Sequence, residues 1–245
     1  MSWRPLSTGF AEEQTGEKCW GSMTERAVIF DLDGTLVDTA PDLMLATNHV
    51  LATLGRRPIS MEEVRVFVGH GARALIARGC EATGAAVPPR AVETLYQEFV
   101  IHYAQNIAID SVAYPGLVGF LDRCRAEGIY LGICTNKLES LSIRLLEALG
   151  LRHYFGAIVG PDTIGVAKPD PQPFYETVAR LGLNNARAVM IGDSETDILT
   201  ARAAGVPIIA VPFGYTPKPI AEYGPDFVVT HYDRMWETLE RAFDS

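Results

Sequence analysis

The sequence predicts an α/β fold in which a parallel sheet is covered by helices on both faces. The main observation is an alternation along the chain, since short apolar segments alternate with amphipathic segments that have helical spacing. The apolar segments are typical of buried parallel strands, which are hydrophobic along their whole length. They lie at residues 27–30, 130–134, 157–159, 188–191 and 208–211, with a weaker candidate at 227–229.

Helices are predicted between most of these strands. In each of them apolar residues recur three or four positions apart, so one side of the helix can pack against the sheet. Parallel strands need such crossover connections. The predicted helices span residues 115–127, 139–149, 171–181, 195–204 and 232–243.

A long interval after the first strand breaks the alternation, because its patterns are helical throughout. Thr39, followed three positions later by Asp42, is typical of a capping box at the start of its first helix. An interval of about seventy residues is too long for a loop, so we predict a helical domain inserted into the sheet domain. Its helices lie at residues 42–54, 61–68, 72–81 and 90–107.

The predicted organisation has three parts. Residues 39–111 form the helical domain, and residues 23–38 together with 112–245 form the sheet domain. The insert follows the first strand directly, which would let it close over the strand ends as a lid. The alternative is a helical subdomain without a catalytic role. Residues 1–22 are polar and rich in small residues, and we expect them to be a disordered extension.

Composition and charge limit the possible functions. The chain has 245 residues, of which 48% are hydrophobic, enough for one large core with a smaller appended domain. A net charge of -9, with scattered Lys and Arg, argues against a nucleic-acid or membrane partner. Because we find neither a membrane-length apolar stretch nor the pattern of a secretory leader, we expect a cytoplasmic protein. We also expect it to be a monomer or a homodimer. The spacing of the cysteines does not suggest a zinc site or a disulfide framework.

Two acidic residues, Asp31 and Asp33, end the first apolar strand, and Gly34 and Thr35 follow them. Carboxylates at this position contribute nothing to the packing of a buried strand. They suggest a site for a hard cation and a phosphate. The alternative is an ordinary turn, because Asp and Gly are common turn residues.

Polar residues also follow two other predicted strands. Thr135 and Asn136 come directly after the strand at 130–134, where hydroxyl, amide and main-chain N–H groups could bind phosphate oxygens. They could equally cap the next helix. Lys168 lies beyond the strand at 157–159, in a segment stiffened by prolines. A lysine is usually solvated, but at the mouth of a pocket it would neutralise a phosphate.

A second acidic turn, residues 192–197, follows the strand at 188–191. Ser194 or Asp193 could cap the following helix, but capping leaves the remaining acids unexplained. In a parallel sheet, ligands gather at the carboxyl ends of the strands. Asp193 and Asp197 would therefore lie near the acids of the first strand. Mg²⁺ prefers one or two carboxylates together with water and phosphate oxygens, and this set can supply such a site.

These segments resemble a known family. Taken in order, residues 31–35, residues 135–136, Lys168 and residues 192–197 match the four motifs of the haloacid dehalogenase superfamily of phosphohydrolases. The match spans about residue 24 to residue 243. The resemblance implies a Rossmann-like catalytic core, and the insert resembles the small helical cap domain of that family.

Within the superfamily the chain is most similar to the phosphoglycolate phosphatases. Three segments carry this finer resemblance, namely residues 33–38, 68–73 and 135–137. The implied substrate is a small phosphorylated metabolite, 2-phosphoglycolate above all. The alternatives are a pyrophosphatase, a nucleotide or sugar phosphatase, or a phosphomutase of the same fold. A binding protein without turnover is disfavoured because every catalytic position is present.

The resemblance also implies roles for single residues. Asp31 would be the nucleophile that forms an aspartyl-phosphate, and Asp33 would be the general acid and base. Thr135, Asn136 and Lys168 would hold the phosphoryl oxygens, and Lys168 would also count among the catalytic residues. A halide-releasing member of the superfamily needs no acid at the position of Asp33, so this residue favours phosphate chemistry.

A magnesium ion is the implied cofactor. Its ligands would be Asp31, the main-chain carbonyl of Asp33, and Asp193. Asp197 would support these ligands without touching the ion. Such a density of acids requires a cation, because unpaired carboxylates would otherwise repel one another and take up protons.

The helical domain would select the substrate, because the four motifs contact only its phosphate. His70 lies between two glycines, which allow a flexible turn, and Arg73 follows in the next helix. Arginine binds carboxylates in a bidentate manner, so we expect Arg73 to bind the carboxylate of the substrate. The alternative is an arginine on a solvated helix face.

Overall fold

The computed structural model describes residues 25–245, and the predicted disordered extension at residues 1–22 lies outside them. Within the described residues the core is a six-stranded sheet in the order β5-β4-β1-β6-β7-β8, and every neighbouring pair is parallel. The predicted α/β fold class is confirmed. The strands are β1 (Arg26–Phe30), β2 (Val37–Asp38), β3 (Val112–Ala113), β4 (Tyr130–Cys134), β5 (Ala157–Val159), β6 (Arg187–Gly192), β7 (Ile208–Ala210) and β8 (Phe227–Val228).

Strand β1 lies at the centre of the sheet, and its four residues 27–30 are fully buried. Val28 and Phe30 belong to the hydrophobic cluster on one face, whereas Ala27 and Ile29 belong to the cluster on the other. This alternation follows from the two-residue period of a strand. It explains why β1 is apolar from residue 27 to residue 30 and why polar residues follow only where the strand ends.

Helices cover both faces of the sheet. Residues of α5, α6 and α10 belong to one cluster, and residues of α8 and α9 belong to the other. Each predicted core helix is present with slightly different ends. The helices of the core are α5 (Leu117–Ala126), α6 (Glu139–Ala148), α7 (Pro161–Ile164), α8 (Gln172–Arg180), α9 (Glu195–Ala204) and α10 (Met235–Phe243).

The interval between β2 and β3 is helical and has its own hydrophobic cluster, to which Leu51, Ile76 and Phe99 belong. The chain enters and leaves it through β2 and β3, which pair antiparallel in a separate two-stranded sheet. None of the described helices is long and apolar enough to cross a lipid bilayer. The helices of this unit are α1 (Ala40–Thr53), α2 (Met61–Phe67), α3 (Ala72–Thr83) and α4 (Pro89–Gln105).

The predicted capping box at the start of α1 is wrong. Thr39 occupies the N-cap position, but its side chain does not cap the helix and instead donates a hydrogen bond to Asp33 Oδ1 at 2.7 Å. Asp42 accepts hydrogen bonds from the main-chain N–H groups of Asp110 and Ser111, each at 3.0 Å, and from the Ser111 hydroxyl. Both side chains therefore bind residues outside α1, which the spacing of a helix cap cannot reveal.

Candidate active site

The carboxyl ends of three adjacent strands form the centre of the site. Asp31 follows β1, Thr135 follows β4 and Asp193 follows β6. Because β1 pairs with both β4 and β6, these three residues are brought to one edge of the sheet. This edge is where open parallel sheets bind their ligands.

Three buried carboxylates lie together at this edge. One oxygen atom each of Asp31, Asp193 and Asp197 lies within 4.8 Å of the others, and the residues are 7%, 2% and 0% exposed. Burial raises the pKa of Asp31 to about 6, although Lys168 opposes the shift. Burial, Asp197 and Asp31 together raise the pKa of Asp193 well above its usual value. The cluster therefore carries more negative charge than its surroundings compensate.

Lys168 is the cation within this cluster. Its Nζ atom lies 2.6 Å from Asp197 Oδ1 and 2.9 Å from Asp31 Oδ1, and its side chain is 2% exposed. Burial alone would lower the pKa of the ammonium group, but Asp197 and Asp31 hold this pKa above its usual value. Lys168 is therefore charged and joins two of the three acids.

Asp193 is fixed by hydrogen bonds from two loops. Its Oδ1 atom accepts a bond from the Thr35 hydroxyl at 2.8 Å, and its Oδ2 atom accepts one from the main-chain N–H of Tyr215 at 2.6 Å. Gly34 and Gly214 approach the same carboxylate so closely that a Cβ atom would lie 2.3 Å and 2.2 Å from Oδ2. A residue with a side chain at either position would collide with Asp193.

Asp197 is bound entirely by protein groups. Its Oδ2 atom accepts hydrogen bonds from the N–H groups of Asp193 and Ser194 and from the Ser194 hydroxyl, at 3.2, 3.0 and 2.7 Å. Its other oxygen contacts Lys168. The Ser194 side chain in turn caps α9 by accepting a bond from the Asp197 N–H. The carboxylate of Asp197 therefore positions its neighbours.

The donor set fits a hard divalent cation. Asp31 Oδ1 is buried and accepts no hydrogen bond from residues 25–245, since Lys168 approaches it without hydrogen-bond alignment. The Asp193 oxygens retain lone pairs beyond the two bonds they accept. All available ligands are oxygen atoms, which is the preference of Mg²⁺ and Ca²⁺. A cation would offset the repulsion among the acids.

Asp33 contacts a different lysine from the one that contacts Asp31. Its carboxylate contacts Lys137 Nζ at 2.9 and 3.2 Å and accepts the Thr39 hydroxyl at 2.7 Å. Lys137 is 5% exposed at its side chain, and Asp33 and Tyr103 hold the pKa of its ammonium above the usual value despite burial. Sequence reasoning did not place Lys137 in the site. Its position directly after Thr135 and Asn136 was the available signal.

The predicted phosphate-binding residues lie beside these groups. Thr135 is buried, and its hydroxyl accepts a hydrogen bond from the Lys137 N–H at 3.2 Å. The Asn136 side chain accepts from the main-chain N–H of Lys168 at 2.9 Å and donates to its carbonyl at 3.2 Å. Asn136 thus ties the turn after β4 to the loop that carries Lys168.

A cavity of about 220 Å³ lies between this edge and the helical unit. Asp31, Asp33, Thr135 and Lys137 line it on the side of the sheet. The helical side is largely apolar and aromatic. The residues that line this side include Leu43, Leu75, Tyr96, Phe99, Val100 and Tyr103.

The two residues predicted to contact the substrate from the helical side also line the cavity. His70 lies between Gly69 and Gly71, whose φ angles of 110° and 83° favour glycine. Burial and Arg78 lower the pKa of His70, so its imidazole is neutral near pH 7. The guanidinium of Arg73 is bound to Glu93 at 2.7 and 3.0 Å. Arg73 is therefore already paired.

Comparison with known proteins agrees with this geometry. The family model described as haloacid dehalogenase-like hydrolase matches residues 28–211 and includes every acidic residue of the cluster. The chain belongs to the haloacid dehalogenase-like hydrolases. This membership confirms the resemblance found in the sequence motifs.

Several relatives of this hydrolase match most of its chain and most of their own. The phosphoglycolate phosphatase of Mesorhizobium japonicum is 44% identical over 90% of this chain and 96% of its own. A crystal structure of a predicted phosphoglycolate phosphatase from Haemophilus somnus superposes with a TM-score of 0.81 at 29% identity, over 89% of this chain and 99% of its own. CbbY from Rhodobacter sphaeroides, in complex with phosphate, has a TM-score of 0.73 at 25% identity, over 87% and 96%. The family and these relatives identify the chain as a phosphatase, which confirms the predicted enzyme class.

Proposed function

We propose that this hydrolase is a Mg²⁺-dependent phosphatase of 2-phosphoglycolate that acts through an aspartyl-phosphate on Asp31. The observation that carries the proposal is the separation of two acids that line one cavity. Asp31 lies beside Lys168 in the acidic cluster, whereas Asp33 lies beside Lys137. Two carboxylates in different environments suit two different roles. The name of the relative from Mesorhizobium japonicum supports the substrate.

Asp31 is the nucleophile in this proposal. One of its carboxylate oxygens attacks phosphorus, and the bond between phosphorus and the glycolate oxygen breaks in line with the attack. A pKa of about 6 leaves the carboxylate mostly ionised at pH 7, as a nucleophile requires. Lys168 holds the side chain in place through its contact at 2.9 Å.

Asp33 moves the protons. It delivers a proton to the departing glycolate oxygen and then removes one from the water that attacks the aspartyl-phosphate, so that inorganic phosphate leaves and Asp31 is restored. Such acid-base help contributes about 10²- to 10⁴-fold to a rate. The hydrogen bond from Thr39 and the contact with Lys137 orient the carboxylate for both steps.

The remaining groups compensate charge. Thr135, Asn136 and Lys168 bind the phosphoryl oxygens, whose charge must be stabilised in the transition state. Asp31, Asp193 and the main-chain carbonyl of Asp33 hold Mg²⁺, and Asp197 supports these ligands through Lys168 and Ser194. When bound, the ion supplies positive charge to the phosphoryl oxygens and to the acids.

The helical unit acts as the cap domain in this proposal, with residues 39–111 closing the cavity over the substrate. Because the helical side of the cavity is largely apolar, closure would exclude water and strengthen the electrostatic contacts inside. His70 lines the cavity at the turn before α3. A small substrate suits a cavity of about 220 Å³.

A panel of phosphomonoesters tests the proposal. The panel contains 2-phosphoglycolate, pyrophosphate, sugar phosphates and nucleotides, each assayed with Mg²⁺ and with EDTA. The expected result is the highest kcat/KM for 2-phosphoglycolate and loss of activity in EDTA that Mg²⁺ restores. A higher kcat/KM for another phosphomonoester would contradict the proposed substrate. Full activity in EDTA would contradict the proposed dependence on Mg²⁺.

The variant Asp31→Asn tests the nucleophile. It is isosteric and should lower kcat by at least about 10⁴-fold, as expected for the loss of a nucleophile. Wild-type protein treated with acid during turnover should retain labelled phosphate, whereas the variant should not. Substantial turnover by folded Asp31→Asn would contradict the mechanism.

A further inference from the structure

Tyr103 has a buried hydroxyl group that makes no aligned hydrogen bond within residues 25–245, although the ammonium of Lys137 lies beside it. The residue lies in α4, is 1% exposed and lines the cavity. Its hydroxyl has no hydrogen-bond partner among residues 25–245. A buried donor without a partner is destabilising, which points to a polar ligand for this hydroxyl. Burial raises the pKa of Tyr103 to about 12, which keeps the group a donor.

The ammonium group of Lys137 lies against the same tyrosine. Its Nζ atom is 4.4 Å from the centre of the Tyr103 ring and 2.9 Å from Asp33 Oδ1. An ammonium has three donors, and the carboxylate of Asp33 engages it through its two oxygens. Lys137 also lines the cavity and can donate to a further acceptor there.

The shape of 2-phosphoglycolate decides where its carboxylate must lie. Two covalent bonds separate the leaving oxygen from the carboxylate carbon, which places the two atoms only about 2.5 Å apart. Asp33 must reach the leaving oxygen to protonate it. The group that binds the carboxylate must therefore stand next to Asp33, and Lys137 does so.

Arg73 meets this requirement less well. It lies in α3, on the helical side of the cavity, and its guanidinium is held by Glu93 and stacked 3.6 Å over the ring of Tyr96. A substrate carboxylate would have to displace Glu93 from a bidentate pair. The side chain of Arg73 is also 54% exposed, whereas that of Lys137 is 5% exposed.

We infer that Lys137 and the Tyr103 hydroxyl bind the carboxylate of the substrate and so determine specificity for a phosphorylated 2-hydroxy acid. This assignment rests on the proposed function. Lys137 supplies the charge from the core, and Tyr103 supplies a neutral donor from the helical unit. A substrate with a carboxylate beside its phosphate would thereby contact both parts of the molecule, which couples recognition to closure of the cavity.

The test compares 2-phosphoglycolate with ethyl phosphate, which has the same two-carbon skeleton with a methyl group in place of the carboxylate. The measured quantity is the ratio of their kcat/KM values, since this ratio cancels effects on phosphate chemistry. Tyr103→Phe should lower the ratio by roughly 10-fold or more, the effect of losing one hydrogen bond to a charged group. Lys137→Met should lower the ratio further, and the loss should include a higher KM for 2-phosphoglycolate.

Two further variants make the outcomes distinct. The matched control is Tyr154→Phe, because the hydroxyl of Tyr154 donates a hydrogen bond to Asp122 on the surface. This variant should leave the ratio unchanged. If both test variants retain the wild-type ratio while Arg73→Gln lowers it, Arg73 binds the substrate carboxylate and our assignment is wrong. If the wild-type enzyme itself does not favour 2-phosphoglycolate over ethyl phosphate, the proposed substrate fails instead. Should Lys137→Met not fold, Tyr103→Phe still decides the assignment.

Discussion

The main-chain N–H of Tyr215 donates to Asp193 Oδ2 at 2.6 Å, and the phenol of the same residue reaches the base of the helical unit. Its hydroxyl donates to Asp38 Oδ1 at 2.6 Å and accepts the N–H of Ala40 at 2.8 Å. Arg65, from α2, pairs with the other oxygen of Asp38 at 2.6 Å. A continuous set of contacts thus links the acidic cluster to the segment where the helical unit begins.

Loss of the Tyr215 hydroxyl should weaken this link. In Tyr215→Phe the loop keeps its apolar packing but loses two hydrogen bonds, so Asp193 is held less firmly. We expect the Mg²⁺ concentration for half-maximal activity to rise about 3- to 10-fold, at the low end of effects seen when groups behind metal ligands are removed. Saturating Mg²⁺ should restore most of kcat. An unchanged Mg²⁺ titration, equal to that of Tyr154→Phe, would show that the hydroxyl does not orient Asp193.

Gly214 tests the close approach to Asp193 directly. A Cβ atom there would lie 2.2 Å from Asp193 Oδ2, so Gly214→Ala must displace the carboxylate or the loop. We expect Mg²⁺ affinity to fall by about 10- to 100-fold. The matched control is Gly119→Ala in α5, where a Cβ atom meets nothing within 4 Å. This control should instead gain up to about 1 kcal/mol in stability, because alanine favours the helix. Calorimetric titration with Mg²⁺ and urea unfolding measure the two effects.

Lys168 should contribute to stability as well as to catalysis. Lys168→Met would leave Asp31 and Asp197 buried without their cation, and breaking a buried ion pair from one side costs about 3–5 kcal/mol. We expect a loss of this size in the free energy of unfolding, measured with urea in EDTA. Lys218→Met, at an exposed position, should change it little. Equal stabilities of the two variants would mean that Lys168 is not needed to balance the cluster.

A pair of stacked imidazoles predicts how stability depends on pH. His49 and His102 lie 4.1 Å apart in α1 and α4, and Glu98 contacts His49 at 3.2 Å. Burial and His49 lower the pKa of His102, although Glu98 opposes the shift. The unfolded chain, with a histidine pKa of about 6.5, therefore binds this proton more readily than the folded chain. Stability should fall as the pH drops from about 7 towards 5.

The variant His102→Gln isolates this effect. Its free energy of unfolding should vary less between pH 7 and pH 5 than that of the wild type. His153→Gln, at an exposed position, should keep the wild-type slope. A slope unchanged by His102→Gln would assign the loss of stability in acid to other groups.

Much of the site could be predicted because it lies where strands end. Asp31, Thr135 and Asp193 each interrupt an apolar run, and a parallel sheet brings such interruptions to one edge. Lys168 was recognisable from the same rule together with its flanking prolines. Strands β2 and β3 were missed because two residues give no period to detect.

The contacts that were missed depend on packing between distant segments. Tyr103 looks in the sequence like an ordinary core residue of an amphipathic helix, and only the position of α4 over the sheet edge brings it to Lys137. Thr39 and Asp42 have the spacing of a helix cap, yet both bind residues outside that helix. The chemistry of Arg73 suggests a carboxylate ligand, but its pairing with Glu93, twenty positions away, depends on how α3 and α4 pack.

The hydrogen bonds that Asp42 accepts from Asp110 and Ser111 affect how readily the helical unit could be replaced by another insert. They fasten the two ends of the helical unit together beside the β2–β3 pair, so the distance between the ends does not depend on what lies between them. A different insert with the same end-to-end spacing could be grafted there without moving any strand of the six-stranded sheet. We expect such exchanges to alter substrate choice while the phosphoryl chemistry remains intact.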